Sequence, residues 1–457
     1  MRYRRKRWWR ILPWRFSLPS WSQLRAMPSH VMRQLPWRQI YTVEDRNIWN
    51  LYMDIAWFGV LSGVASTFTS VFAIRLGASD TLLGWLSALP ALVNVLWLIP
   101  AARIIERQRR RMPILLFNGF LQRLGYLLVA LVPCVLMNHQ AEALVAVITL
   151  TAFPAAMAGI AFTSLLADAV PATRRARVVS LRNTLLAGVS TATVLISGKL
   201  LDLIAFPVNY QLLFIAAFLT SLVSLYHVGR VRVPEMVVAG RPARGRSPRA
   251  LPRSLKQVWS HRDFVRFSLS SFVFNWGLYM PAALYSIYKV KHLHASDTWI
   301  GLLTTVYNVT AILAYVRWGR FTAKRGNRRA LLISSLGLAL YPALTGLSPR
   351  LEPLLGVAVL GGIFGAGLNL TLFNTMLQVC PAERRPSYVA VYNTLVNIAA
   401  FCAPLLGTFL SDRLDIRLAL VIAGAVRLVG VAAFYWLSPR DFDPHPRPFP
   451  LPGEGGQ

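Results

Sequence analysis

A chain of 457 residues that is 55% hydrophobic and only 15% charged, with a mean hydropathy of +0.47, is too apolar for a soluble globular protein. The net charge of +31 would suit a nucleic-acid partner, but most of the 49 Lys and Arg residues fall in alternate connections between apolar segments. This distribution is typical of membrane topology, so it excludes nucleic acid and indicates a multi-pass membrane protein.

The chain begins with a basic, Trp-rich leader over residues 1–46. Its first ten residues, MRYRRKRWWR, combine cations with indole rings, which favour an anionic lipid surface. We therefore predict that the leader contacts anionic lipid of the cytoplasmic leaflet. The alternatives are an unstructured tail, or residues that precede a start at Met27 or Met32. The first 30 residues contain no apolar run with a cleavage site, so we expect the first helix to direct insertion.

Twelve apolar segments follow, each long enough to cross a bilayer, which takes ~20 mostly apolar residues. They are predicted at 48–74, 81–102, 113–136, 143–167, 178–201, 210–229, 264–288, 298–316, 330–348, 353–378, 387–410 and 416–437. The fold class is therefore an all-α membrane protein, with one six-helix bundle in 47–229 and another in 264–437. The basic linker 230–263, rich in Pro and Gly, is predicted to be a mobile cytoplasmic connection, and the Pro-rich tail is 438–457.

The basic segments all lie on the side of the membrane that holds both ends of the chain. By the positive-inside rule, both termini are predicted to be cytoplasmic in the plasma membrane. The three cysteines, Cys134, Cys380 and Cys402, have no metal-ligand spacing, and their odd number gives no disulfide framework. We expect neither a metal nor any other cofactor.

Short patterns recur in the two bundles. Ala-Ser-Asp-Thr-x-x-Gly-x-Leu lies at 78–86 and 295–303, Pro-Ala-x-Arg-Arg lies at 171–175 and 381–385, and Asp202 and Asp412 keep the spacing of the second pattern. Because six helices is an even number, both copies enter the membrane from the same side, as a parallel repeat. A tandemly duplicated membrane bundle is typical of transporters.

Two connections carry a further pattern. Residues 102–111, ARIIERQRRR, contain the acid Glu106 beside a basic cluster that includes Arg107 and Arg110. Residues 319–329 contain Gly319, Gly326 and a basic cluster that includes Arg328, with Ala323 at the position of the acid. Both segments resemble Gly-x-x-x-Asp-x-x-Gly-Arg-Lys/Arg, a signature of the major facilitator superfamily. The first copy lacks both glycines and the second lacks the acid.

The resemblance covers roughly residues 47–437 and implies a monomer that works by rocking two six-helix halves around a central site. It also implies that the signature loop ties helices together through charge pairs in the outward-facing state. The loop after the fourth helix, with Asp168 and Arg175, looks like the family's connection at that place. These two residues are either gating residues, or a helix cap with local charge balance.

Ionisable groups within membrane helices usually have a partner or a function, because an isolated charge in hydrocarbon is costly. Asp54 is the one acid predicted well inside a helix, and Ser271 takes its place in the second half, so binding or coupling is expected. The alternative puts Asp54 at the cytoplasmic interface. Arg123, ten residues into the third helix, is predicted either to pair with Asp54 or to snorkel outward. The sequence predicts no role for Arg427, which lies near the middle of the last helix.

Amide and hydroxyl groups on helices that line the central cavity in this family are candidate substrate contacts. They are Asn275, Tyr279, Asn369 and Asn374, together with Asn308 on the eighth helix. The alternative for each is a hydrogen bond between helices, which polar side chains commonly form in membranes.

The chain contains no Walker loop, metal-ligand spacing or nucleophile elbow, so we expect neither an enzyme nor an ATP-driven pump. The predicted function is a secondary active transporter for a small molecule, favouring proton-coupled efflux of an amphipathic solute. The alternatives are an uncoupled facilitator, and a non-transporting membrane sensor or scaffold that keeps the fold.

Overall fold

The computed structural model describes residues 43–108, 111–232, 260–380 and 385–437, and the regular elements in these ranges are helices. The predicted leader as far as residue 42, the linker from 233 to 259 and the tail from 438 lie outside the described residues. The first bundle starts earlier than predicted, because its first helix begins at Val43 within the expected leader.

The first half contains six helices, which match the predicted apolar segments. They are α1 Val43–Arg75, α2 Asp80–Arg107, α3 Arg111–Val135, α4 Gln140–Ala169, α5 Ala172–Leu203 and α6 Val208–Gly229. Most extend a few residues beyond the apolar segment, because a helix continues into the polar interface after its hydrophobic part ends.

The second half has the same plan with one interruption. Its elements are α7 Arg262–Tyr279, α8 Leu284–Ile287, a π-helix Tyr288–His292, α9 Asp297–Arg325, α10 Asn327–Leu347, α11 Pro353–Val379, α12 Arg385–Arg413 and α13 Ile416–Leu437. Eleven helices among the described residues are long and apolar enough to span a membrane. The prediction of a continuous seventh helix over 264–288 is wrong, because the helix breaks after Tyr279 beside Pro281.

The side chain of Arg427 compensates for two prolines. Pro281 and Pro342 have no N–H, so the carbonyls of Gly277 and Leu338, four residues before them, lose their helical donors. Arg427 donates from Nε to the Gly277 oxygen at 2.9 Å and from Nη1 to the Leu338 oxygen at 2.8 Å. The guanidinium, in a residue only 2% exposed, thereby ties α13 to α7 and α10.

The two halves meet on one face of the bundle. The start of α1 and the end of α13 define the terminal face, and the turns after α1, α3 and α5 define the far face. The largest buried apolar cluster lies toward the far face and includes Phe72 and Phe214 of the first half with Ile287 and Tyr288 of the second. Two clusters near the terminal face each belong to a single half. Packing therefore joins the halves at the far face.

Close helix packing in the second half predicts different effects for two glycine substitutions. A Cβ added to Gly430 on α13 would lie 2.5 Å from the Phe274 Cα, whereas one added to Gly356 on α11 meets nothing within 4 Å. We expect Gly430→Ala to lower the free energy of unfolding by about 1–3 kcal/mol through overpacking. Gly356→Ala should leave it unchanged or raise it by up to about 1 kcal/mol. Thermal unfolding of the purified protein in detergent measures both, and equal shifts would contradict the packing described.

Candidate functional site

A buried ion pair connects three helices of the first half near its terminal face. Arg182 of α5 lies with Nη2 at 3.1 Å from Oδ2 of Asp54 on α1, and the two residues are 6% and 4% exposed. Ser224 of α6 donates its hydroxyl to Oδ1 of Asp54 at 2.7 Å. Both carboxylate oxygens therefore have partners, and the alternative that Asp54 sits at the membrane interface does not match its burial.

Arg123 joins the same network through a serine. Its Nη2 donates to Oγ of Ser224 at 2.9 Å, and its Nε donates to the Ser221 carbonyl at 2.8 Å. The side chain is 5% exposed, so it is buried rather than snorkelling. The predicted direct pair of Asp54 with Arg123 differs from the structure, in which Arg182 is the ionic partner and Ser224 lies between the two.

The network holds two guanidinium groups and one carboxylate. Aromatic rings partly stabilise the excess positive charge through cation–π contacts. Arg182 lies 4.6 Å from the ring centroid of Phe162, and Arg123 lies 5.6 Å from that of Phe58. Because Asp54 is the one carboxylate in it, neutralising that group leaves both cations with carbonyl, hydroxyl and aromatic partners alone.

Sequence analysis did not single out Arg182. Basic residues are common where a polar connection enters a helix, and Arg182 follows the connection between α4 and α5. Its position inside the predicted fifth span, 178–201, was the signal that it needed a partner within the membrane.

At the far face, Asp202 at the end of α5 binds the start of α9 in the other half. Its Oδ1 accepts from the Asp297 amide and its Oδ2 from the Thr298 amide, both at 3.0 Å. Tyr210 donates its hydroxyl to the Asp297 carboxylate at 2.6 Å, and Arg75 lies 3.9 Å from that carboxylate. A carboxylate thus caps the positive end of a helix across the boundary between halves.

The repeat makes the same kind of contact with the roles of the halves exchanged. Asp412, at the end of α12 in the second half, accepts a hydrogen bond at 3.1 Å from the hydroxyl of Thr81, which lies at the start of α2 in the first half. Lys291 of the π-helix adds an ion pair with Asp80 at 2.6 Å. The two copies of the Ala-Ser-Asp-Thr pattern therefore contact the two repeated aspartates crosswise, each pattern reaching the aspartate of the other half.

The other repeated positions complete this contact. Ser79 and Ser296 each cap their own helix, accepting from a backbone amide three residues on. Gly84 and Gly301 permit the helices to approach, because a Cβ would lie 2.6 Å from the Thr408 Oγ1 and 2.8 Å from the Val194 carbonyl oxygen, respectively. We call this set of repeated residues the crosswise contact.

On the terminal face, the candidate gating residues of the first half make local contacts. Asp168 lies 3.6 Å from Arg111, and Arg175 donates to the Ala167 carbonyl at 2.7 Å, near the end of α4. Both contacts remain within the first half, which favours local charge balance and capping. Glu106 and Arg107 occupy the last turn of α2, with side chains outside the described part, and Arg110 lies in the undescribed gap.

The second copy of the signature has a different role for each residue. Gly326 joins α9 to α10 with a φ of +82°, a left-handed conformation that favours glycine. Arg328 donates to the Tyr435 carbonyl at 2.9 Å and so ties α10 to the end of α13. Gly319 lies within α9, where a Cβ would meet nothing within 4 Å.

The five candidate substrate contacts lie on three helices and do not form one cluster. Asn275 of α7 is 4% exposed and donates to the Ser271 carbonyl of its own helix at 2.8 Å. Tyr279, Asn308 and Asn374 are half-buried, and Asn369 is exposed. Among the described residues, no hydrogen bond joins any two of the five.

Comparison with known families agrees with this architecture. The sequence profile of the Major Facilitator Superfamily matches residues 55–296 and 267–455. The chain belongs to this family, and it is a multi-pass membrane protein of two six-helix halves.

Curated relatives resemble part of the chain. The multidrug efflux pump LfrA of Mycolicibacterium smegmatis is 26% identical over 148 residues, covering 32% of this chain and 29% of the pump. The class H tetracycline resistance protein of Pasteurella multocida is 28% identical over 136 residues, covering 30% of this chain and 34% of that protein. The chain thus matches about a third of the length of these curated relatives.

Solved structures share the fold over most of the chain. The nucleoside transporter NupG gives a TM-score of 0.66 at 12% identity, covering 86% of this chain and 99% of NupG. A POT family transporter in complex with 5-aminolevulinic acid gives 0.67 at 13% identity, covering 86% of this chain and 96% of that one. At such identities, the likeness concerns the fold alone.

The buried pair predicts non-additive stability effects. Asp54→Asn and Arg182→Gln should each lower the free energy of unfolding by about 3–5 kcal/mol, because each leaves an unpaired buried charge. The double variant should lose about 1–3 kcal/mol less than the sum of the two single losses, because the unpaired charge of Arg182 is removed while that of Arg123 remains. Combining Asp54→Asn with Lys199→Gln, an exposed residue of α5, provides the additive control. Additivity of the Asp54 and Arg182 losses would contradict the pair.

Proposed function

We propose that this protein is a secondary active transporter of the plasma membrane that exports a small amphipathic solute in exchange for protons. The crosswise contact carries the proposal, because it closes one face through hydrogen bonds and ion pairs that form and break without covalent change. The relatives named as multidrug and tetracycline resistance proteins support efflux of an amphipathic solute. Transport by alternating access follows if the two halves separate at this contact.

The distribution of basic residues supports the orientation. The terminal face receives the basic connections and is proposed to be cytoplasmic, with both termini inside. The crosswise contact then closes the outer face, which is the arrangement required when the solute enters from the cytoplasm. The leader on anionic lipid lies outside the described residues, and it and a monomeric state remain predictions.

Asp54 is the proposed proton site. Its carboxylate holds Arg182 of α5 and Ser224 of α6 to α1, so protonation weakens the ionic link among three helices of one half. A change in proton occupancy would therefore alter helix packing in the half that must move. The buried position, with defined partners, supports a functional carboxylate over a solvated interfacial one.

A flux experiment tests Asp54. A thermal-shift screen of amphipathic solutes first selects a ligand that stabilises the folded protein. In proteoliposomes, Asp54→Asn should abolish flux driven by a pH gradient while keeping solute exchange in the absence of a gradient. Retained exchange without a gradient shows that Asp54→Asn is folded, and Lys199→Gln, an exposed change of charge on α5, should keep gradient-driven flux. Undiminished gradient-driven flux in Asp54→Asn would remove Asp54 from the coupling.

The two aspartates of the crosswise contact should stabilise the closed far face to different extents. Asp202 accepts hydrogen bonds from two backbone amides, whereas Asp412 accepts one from a hydroxyl. Asp202→Ala should therefore lower the ratio of closed to open molecules roughly tenfold, and Asp412→Ala should lower it less. Spin labels on Met137 and Leu347, exposed residues at the far face of opposite halves, report the distance in a variant with the three cysteines replaced. Equal distance distributions in the two variants would contradict this ranking.

Two outcomes of the flux experiment would select the alternatives. Flux of the unmodified protein that ignores pH and Na⁺ gradients would identify an uncoupled facilitator. Stabilising ligands without any flux or exchange would identify a sensor or scaffold that keeps the family fold.

A further inference from the structure

A cavity of about 350 Å³ lies entirely within the second half, apart from the boundary between the halves. Its wall is built from α7, α8, the π-helix, α9, α10, α11 and α13. The lining residues are Leu278, Ala282, Tyr285, Lys289, Leu303, Thr304, Tyr307, Leu338, Tyr341, Thr345, Leu354, Val357, Ala358 and Arg427. The volume is at the small end of the range for small-molecule sites, ~300–1,000 Å³.

The charge of this cavity is entirely positive. Two cations, Lys289 and Arg427, line it, and none of its lining residues is an acid. Arg427 donates to backbone carbonyls and to the Tyr285 hydroxyl, at 3.1 Å, so its charge faces dipoles rather than a carboxylate. The Lys289 ammonium has no hydrogen bond or ion pair with another residue of the described part of the chain.

The contrast with a neighbouring lysine is informative. Lys291, two positions along the same π-helix, is paired with Asp80 and also donates to the Ala78 carbonyl. Residues two apart on a helix face different directions, so Lys291 serves the contact between halves while Lys289 lines the cavity. Burying a cation in a largely apolar cavity without a counter-charge costs free energy, and a bound anion would offset that cost.

The remaining wall suits a flat apolar body. Tyr285 and Tyr341 are in an edge-to-face arrangement with ring centroids 5.2 Å apart, and Tyr307 lies 6.5 Å from Tyr341. Leucine, valine and alanine side chains form the rest of the apolar surface. Aromatic rings and aliphatic groups favour an aromatic ligand, and the tyrosine hydroxyls and Thr304 add hydrogen-bonding groups.

We propose that this cavity binds an organic anion with an aromatic body of one or two rings, such as an aryl carboxylate, whose charge is met by Lys289 and Arg427. The site rests on the proposed function and deepens it, because it names a class of solute. A molecule with two long acyl chains exceeds the volume, so the ligand is a compact solute rather than a phospholipid.

Binding of two matched probes to the purified protein tests the proposal without any transport. The probes are 2-naphthoate and its neutral amide, 2-naphthamide, measured by equilibrium dialysis with micelle-only controls. Naphthoate should bind more tightly than naphthamide. Lys289→Gln should weaken naphthoate binding about tenfold and leave naphthamide binding unchanged, whereas Lys289→Arg should retain the preference for the anion. Lys199→Gln, an equal change of charge at an exposed position, should have no effect.

Several results would overturn the anion site: no naphthoate binding at millimolar concentration, equal affinity for both probes, or equal weakening by Lys289→Gln and Lys199→Gln. Arg427 is unsuitable as the tested position because its removal leaves two carbonyls unpaired. If a solute from the thermal-shift screen is transported and naphthoate does not bind, the proposed function stands and the anion site falls. If naphthoate binds as expected and no flux of any solute is found, the site stands and the transport function falls.

Discussion

Lipid offers no hydrogen-bond partner, so polar groups inside this bundle must find partners within the chain. Arg427 shows how strongly that constraint shapes the fold. One helix contains a proline and another breaks just before one, and a single guanidinium supplies both missing donors. The break in the seventh span is therefore tolerated because a residue about 150 positions away completes it. The same constraint places Arg123 against carbonyl and hydroxyl groups rather than in hydrocarbon.

The buried charges of the two halves are arranged differently, although the halves share one plan. In the first half, two arginines share one carboxylate, and aromatic rings cover the guanidinium groups. In the second half, Arg427 and Lys289 line a cavity whose wall has no carboxylate. The duplication therefore preserved the helical scaffold while the polar chemistry of each half changed. The buried cations of the first half therefore have a carboxylate partner, whereas the cations of the cavity in the second half have none among the lining residues.

In contrast to the buried charges, the repeated residues are the same in both halves, and they lie where the halves contact each other. Each Ala-Ser-Asp-Thr segment starts a helix, caps it with its serine and meets the repeated aspartate of the other half. Glycine at the next turn lets the two helices approach. The contact combines helix capping with two ion pairs, one on the buried carboxylate of Asp297 and one, between Lys291 and Asp80, that is half-buried.

The sequence determined the apolar segments, the two halves and the family, because hydropathy, charge asymmetry and repetition are properties of short segments. It also singled out Asp54 and Arg123 as charges within apolar segments, but it left an interfacial Asp54 and a snorkelling Arg123 open. Only the tertiary structure decided their partners: Arg182 appeared to be one more basic residue near a helix start, and Ser224 carried no signal at all. The contacts of Arg427 and the crosswise contact join residues between 89 and 331 positions apart. Such pairs are set by how helices pack, which local pattern does not encode.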